Sequence, residues 1–280
     1  MTSVMQGGCD PGRTAAVREP LTFEALIFDV DGTLADNEEL HRQAFNEAFF
    51  ACGLDWRWGP GLYAELLQIT GGKERMASYI GRLRLSELET NALLRLIPQI
   101  HDSKTRVYQE LVELGHLRPR AGVIRLMTEA RSAGLHLAIA STTSPANVES
   151  LLRASFGGDT LHWFRAIASG DVVSTKKPAP DIYNLALTML GVPPQRAIAI
   201  EDSAIGVQSA KAAGLFTVAI PTLWTIGQDF SAADLVLTSL ADPEQPLYAV
   251  DERRIGAKFL GVEQLATLHS AALRMEAIHA

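Results

Sequence analysis

Residues 29–33 read Asp-Val-Asp-Gly-Thr and close a short apolar run of sequence FEALIFDV, residues 23–30. Side chains alternate along a strand, so Asp29 and Asp31, two apart, point toward the same side. Two carboxylates so placed repel, and one takes a raised pKa unless a cation sits between them. Similar polar ends recur downstream. Ser141-Thr142-Thr143 follows an apolar run and offers hydroxyls that can bond phosphate oxygens, and Glu201-Asp202-Ser203 follows another with a second carboxylate pair. Lys176-Lys177-Pro178 lies between those two. Each piece alone has an ordinary structural reading: a solvated acidic turn, a hydroxyl cap, a loop, or acids at the positive end of a helix. Four ends of one sheet delivering carboxylates, hydroxyls and a lysine to a single edge describe a site.

The elements that must bring those ends together are legible from periodicity. Asp36 with Glu39 three residues on has the spacing of a capping box, and Leu40, Ala44, Phe45, Ala48 and Phe49 give the following helix one apolar face until Gly53. The pattern stays helical to about residue 115, marked by Leu66, Leu67, Met76, Ile80, Leu83, Leu93, Leu94 and Ile97. After Pro119, helices at 123–133, from 146, at 181–190 and at 204–213 alternate with strands at 135–140, 164–168, 197–200, 216–220 and 234–237. Gly134, Gly191 and Gly214 stop three of those helices; Pro180 begins the one that Gly191 ends, and Lys176-Lys177-Pro178 reads as its opening. Apolar strands alternating with amphipathic helices predict an α/β fold, a doubly wound parallel sheet covered on both faces. The stretch 37–115 then reads as an inserted α-helical domain. Residues 21–36 and 116–248 form the core, 1–20 a disordered leader, and 249–280 a C-terminal extension with a helix beyond 262.

With 280 residues, 47% hydrophobic and 20% charged, the chain can bury a core without disulfides or a structural metal. The net charge of -7, from 32 acids against 25 Lys and Arg, disfavours nucleic acid and anionic membranes as partners. An anionic substrate must be caught by a local cationic pocket. Cys9 and Cys52 show no pairing motif and read as reduced thiols. No apolar run reaches the roughly 18 residues that span a bilayer. The first 20 residues lack the apolar stretch of a secretory signal. The chain reads as a cytoplasmic monomer, or a plastid-stroma protein if those residues are a targeting remnant.

The strings FDVDGTL, IASTTS, KKPAPDIY and IEDSAIGVQSAKAAG resemble the four ordered motifs of the haloacid dehalogenase superfamily of phosphohydrolases. The resemblance implies a Rossmann-like core with a mobile helical cap. It makes Asp29 the nucleophile that forms an aspartyl phosphate, and Asp31 the acid for the leaving oxygen and then the base for water. It also implies Mg2+ held by Asp29, the carbonyl of Asp31 and Asp202, with Glu201 a ligand or behind one. Lys177, Ser141 and Thr142 would stabilise the phosphoryl oxygens, while Lys176 reads as a surface lysine. Dehalogenases of the superfamily need neither metal nor an acid at the second position, so Asp31 and the acidic fourth motif favour phosphate chemistry.

Glu38, His41 and Arg42 lie three and four residues apart, on one helix face close to the catalytic edge. Thr70-Gly71-Gly72-Lys73-Glu74-Arg75 puts two cations at a helix start where anions are favoured. The strings DNEELHRQAFN and ITGGKERMASYI resemble the CbbY-type phosphatases, which act on xylulose 1,5-bisphosphate. By that resemblance Glu38 and His41 bond sugar hydroxyls, Lys73 and Arg75 hold a distal phosphate, and Gly72 and Tyr63 join the contacts. Tyr63 also suits a cap core. The implied role is clearance of an inhibitor of ribulose-bisphosphate carboxylase. Rival readings are a beta-phosphoglucomutase, whose cap carries Ser-Arg-x-x-Ser-Leu in place of Gly72-Lys73-Glu74-Arg75, a phosphoglycolate phosphatase, and a non-catalytic binding module.

Overall fold

Alternation of bulky and small apolar side chains decides how the sheet is covered. The computed structural model describes residues 21–115 and 117–279; the leader 1–20, with Cys9, lies outside them. Strands β1 (Ala25–Phe28), β2 (His136–Ser141), β3 (Phe164–Ser169), β4 (Ala197–Glu201), β5 (Phe216–Ala219) and β6 (Leu235–Val236) form one parallel sheet in the order β3-β2-β1-β4-β5-β6. On one face Leu26, Phe28, Leu137, Ile139, Ile198 and Ile200 pack with the apolar sides of three helices. Those helices are α5 (Val123–Ser132), α6 (Pro145–Phe156) and α10 (Val262–His279). The opposite face is mostly alanine, with Ala25, Ala138, Ala140, Ala197 and Ala199, and takes α7 (Asp181–Leu190) and α8 (Ala204–Ala212) at close range. A seven-residue helix, α9 (Ala249–Ile255), precedes α10 and was not expected.

Chain order reverses direction across the sheet at β1, which lies between β2 and β4. Such a switch point opens a crevice beyond the carboxyl ends of the strands. Asp29, Ser141 and Glu201 sit at or just beyond the ends of those three neighbouring strands.

Between β1 and β2 the chain forms four helices: α1 (Glu38–Ala51), α2 (Pro60–Leu66), α3 (Gly72–Arg82) and α4 (Glu87–Glu113). They share an apolar cluster dominated by aromatic rings, with Phe45 and Phe49 4.7 and 4.8 Å from Trp58. Trp224, in the segment after β5, packs edge-on against Tyr63 of α2 at 5.5 Å and so joins that cluster to the sheet. Among the described residues no helix is long and apolar enough to cross a membrane.

Two local expectations are corrected. The start of α1 is not a capping box on Asp36: the N-cap residue is Asn37, without a side-chain cap bond, and Glu39 pairs instead with Arg42 and Gln43. The Asn37 amide is drawn away by Asp31 and Tyr108, each 2.6 Å distant. A capping box does form at α4, between Ser86 and Glu89. Lys177-Pro178 does not open α7, which begins at Asp181 after Pro180; the Lys177–Pro178 peptide is cis and lies in the preceding loop.

Gly122 caps α5 with a φ of 83°, and a Cβ there would lie 2.4 Å from the backbone oxygen of Ala241. Backbone cannot yield as a flexible side chain does. Gly122→Ala is therefore expected to lower the unfolding free energy by roughly 2 kcal/mol or more, from the left-handed conformation and the clash together. Urea unfolding followed by circular dichroism measures it.

Candidate active site

The site begins with a close approach that only glycine permits. After β1 the chain turns at Gly32, with φ 80°, and a Cβ there would sit 2.2 Å from a carboxylate oxygen of Asp202. Gly206 in the first turn of α8 does the same for Glu201, where a Cβ would fall 2.0 Å from Oε2. These gaps let two acids from the end of β4 stand against the β1 turn and the α8 backbone. Arg120 locks the turn from behind: its guanidinium donates to the carbonyls of Gly32, at 2.5 Å, of Ile220 and of Pro221.

Asp29, Glu201 and Asp202 are all buried, and one oxygen from each lies within 4.8 Å of the others. Lys177 enters this group, donating to Asp29 Oδ1 and to Glu201 Oε1, both at 2.6 Å. Tyr183 also donates to Glu201 Oε1, and the Asp202 N–H and Ser203 hydroxyl reach Oε2. Each oxygen of Glu201 thus accepts two bonds, which suits a supporting role behind the other two acids. One lysine does not neutralise three carboxylates. Burial pushes Asp29 up to about 7, against the pull of Lys177 and aided by Glu201. Burial, Asp29 and Glu201 push Asp202 well above the carboxylate range. Lys177 shifts upward, because Asp29 and Glu201 outweigh the burial that would lower it. A buried all-oxygen set with surplus negative charge fits a hard divalent cation such as magnesium, and not zinc.

Asp31 has a different set of partners. Its Oδ1 accepts from Asn37 Nδ2 at 2.6 Å and lies 3.0 Å from His41 Nε2. Lys104 of α4 lies 2.6 Å from His41 Nδ1, so the ring stands between that ammonium and Asp31. Burial would raise the Asp31 carboxyl, yet His41, Asn37 and Lys104 together hold it well below its usual range. Lys104 lies over the rings of Phe45 and Tyr108, and its burial lowers it to about 8 in spite of Asp31.

Above Asp31 opens a cavity of about 560 Å³ between the inserted helices and the sheet edge. Glu38, His41, Gly72, Lys73, Arg75 and Thr142 all line it, whereas Asp29, Lys177, Ser141, Glu201 and Asp202 lie deeper. Ser141 is buried, its hydroxyl accepting from the Thr143 N–H. Tyr63 does not reach the cavity: it is fully buried, donating to Glu38 at 2.8 Å and accepting from Arg75 at 3.2 Å. Its place is behind the two residues that do reach it. Arg42 is also off the site, turned to Glu39 and the carbonyl of Trp58.

Lys176, expected on the surface, is partly buried in the cavity wall, where it bridges Glu74 of α3 and Asp171 of the loop after β3, while Asp171 also accepts from Lys73 at 2.9 Å. Both lysines draw Asp171 down to about 2. Asn37, Lys104, Tyr108, Arg120, Asp171 and Tyr183 escaped the sequence reading. One signal pointed to Lys104: Ile100, Lys104, Tyr108 and Val112 recur at four-residue intervals along the buried stripe of α4.

Residues 23–214 match the family model described as haloacid dehalogenase-like hydrolase. The chain is 49% identical to the CbbY protein of Cereibacter sphaeroides over 220 residues, 79% of this chain and 94% of that one. It is 37% identical to the CBBY-like protein of Arabidopsis thaliana, over 84% of this chain and 75% of that one. Among solved structures, a mutant of CbbY from Rhodobacter sphaeroides in complex with xylulose-(1,5)bisphosphate superposes with a TM-score of 0.73 at 47% identity, covering 79% of this chain and 96% of that one.

Gly32→Ala is expected to displace the Asp202 carboxylate and weaken Mg2+ binding by about ten- to a hundredfold, the usual cost of disturbing how metal ligands are held. Calorimetric titration with Mg2+, alongside circular dichroism to establish the fold, tests this. Unchanged affinity would mean that Asp202 is not a ligand.

Proposed function

The chain belongs to the haloacid dehalogenase-like hydrolase family, and on that premise we propose that it is a magnesium-dependent phosphatase converting xylulose 1,5-bisphosphate to xylulose 5-phosphate. One observation carries the reading. A buried acid set around Lys177 stands, through Asp29, two residues along the chain from Asp31, which lines a cavity whose wall also carries Lys73, Arg75 and Lys104, on a chain whose net charge is -7.

In this reading residues 21–36 and 116–248 are the catalytic core, 37–115 the cap, and 249–280 an extension. A bound magnesium ion supplies the positive charge that lets an anionic nucleophile meet an anionic ester. Asp29, Asp202 and the Asp31 carbonyl would hold it, with Glu201 behind them. Asp29 attacks phosphorus as the sugar oxygen departs, giving an aspartyl phosphate. Lys177, Ser141 and Thr142 steady the phosphoryl oxygens. Asp31 gives its proton to the departing oxygen and then takes one from the water that hydrolyses the intermediate. Asp31 is held as a carboxylate at rest, so the acid step requires its pKa to rise; a dianionic phosphate arriving beside it acts in that direction. Glu38 meets a sugar hydroxyl, and Lys73 and Arg75 meet the distal phosphate; His41, also expected at a hydroxyl, has its ring nitrogens against Lys104 and Asp31 and serves instead to hold Asp31. Hydrolysis of this bisphosphate would relieve ribulose-bisphosphate carboxylase of an inhibitor.

Asp29→Asn is expected to reduce turnover more than about a thousandfold while leaving the fold intact; full activity would refute the nucleophile. Phosphate release with Mg2+ should favour xylulose 1,5-bisphosphate over ribulose 1,5-bisphosphate, phosphoglycolate and beta-glucose 1-phosphate. A preference for a monophosphate would keep Asp29 in its role and remove the bisphosphate reading.

A further inference from the structure

The cations expected to meet a distal phosphate are already engaged. Lys73 is paired with Asp171, and the Arg75 guanidinium donates to the carbonyls of Leu66 and Ile69 and to the Tyr63 hydroxyl. Lys104 is committed to His41. His101, one turn before Lys104 on α4, lines the same cavity, and its imidazole makes no hydrogen bond with any described residue. It packs over the Gly71-Gly72 turn so closely that a Cβ on Gly72 would lie 3.1 Å from Cδ2 and 3.2 Å from Nε2. A larger residue at Gly72 would crowd the ring.

Resting on the bisphosphate reading of this site, we propose that His101 is a further specificity-determining residue, whose imidazole takes up a proton as the distal phosphate binds and donates a hydrogen bond to it. The charged groups that act on the ring are Lys104 and Asp102 of its own helix, Lys73 of α3 and Asp171 of the loop after β3. Burial, then Lys104 and Lys73, lower it to about 4, with Asp171 and Asp102 opposing. His101 is therefore neutral at pH 7 while the cavity is empty of phosphate. A dianion placed among Lys73, Lys104 and the ring reverses the local sign of charge and favours imidazolium. The proton comes from solvent and rests on the ring; no bond to phosphorus forms or breaks there. A monophosphate held at Asp29 leaves this end of the cavity without a dianion and draws no proton to His101.

Calorimetry on the Asp29→Asn protein with xylulose 1,5-bisphosphate at pH 7, in two buffers of different ionisation enthalpy, reads proton uptake directly. His101→Gln keeps a hydrogen-bonding side chain that cannot ionise, and circular dichroism establishes that each variant is folded. Protonation of Asp31 contributes equally to both proteins, so the expected result is net uptake with histidine, uptake smaller by up to about one proton with glutamine, and binding weaker by about tenfold or more. In protein that retains Asp29, His101→Gln should lower the ratio of kcat/KM for the bisphosphate to that for phosphoglycolate by a similar factor. Unchanged uptake or an unchanged ratio overturns the role of His101. If unmutated protein releases no phosphate from the bisphosphate, the substrate reading itself has failed, and this role with it.

Discussion

Asp29, Glu201 and Asp202 repel one another in a buried space with one lysine among them, and much of the surrounding structure exists to hold them there. Buried charges of one sign are expensive unless each is paired or bonded. Here Lys177 reaches two of the acids, Tyr183 and the start of α8 satisfy Glu201, and Gly32 and Gly206 vacate the volume that side chains would fill. The residual negative charge is what a hard cation would complete. The alanine face of the sheet serves the same end, because it lets α7 and α8 approach closely enough for Tyr183 to reach Glu201.

The neighbouring acid is treated in the opposite way. Asp31 is only two residues from Asp29, yet it is surrounded by Asn37, His41 and, through His41, Lys104. One carboxyl is therefore held up and the next held down, which gives two like residues different proton affinities. The division depends on α1 and α4 as much as on the sheet. The inserted helices thus supply part of the electrostatic environment of the catalytic edge as well as the far wall of the cavity.

Contacts between the inserted helices and the sheet side are mixed in character. Lys73, Asp171, Lys176 and Glu74 alternate in sign across the gap, and Trp224 packs on Tyr63 elsewhere along it. Exposed ion pairs of this kind contribute little net stability, since water competes for them. Their consequence here is local: Asp171 occupies Lys73, so the positive field of the cavity is partly masked until another anion arrives.

The alternation of apolar strands and amphipathic helices was enough to determine the parallel sheet and the helical insert. Strand-end motifs were enough to place Asp29, Ser141, Glu201 and Asp202 on one edge, because the carboxyl end of a parallel strand always faces the same side, whereas Lys177 reaches that edge from the loop before α7. Residues that act from a distance along the chain were not legible. Tyr183, Arg120, Asp171 and Asn37 are ordinary helix, loop or cap residues until packing brings them to a carboxylate, a carbonyl or a lysine. Lys104 left a trace in the buried stripe of α4, but periodicity says only that a side chain is inside, not what it meets. Sequence alone determined which chemical groups stand at the strand ends. Only the tertiary structure decided their charge states, because burial and partners separated by up to 148 positions act through space and leave no local pattern.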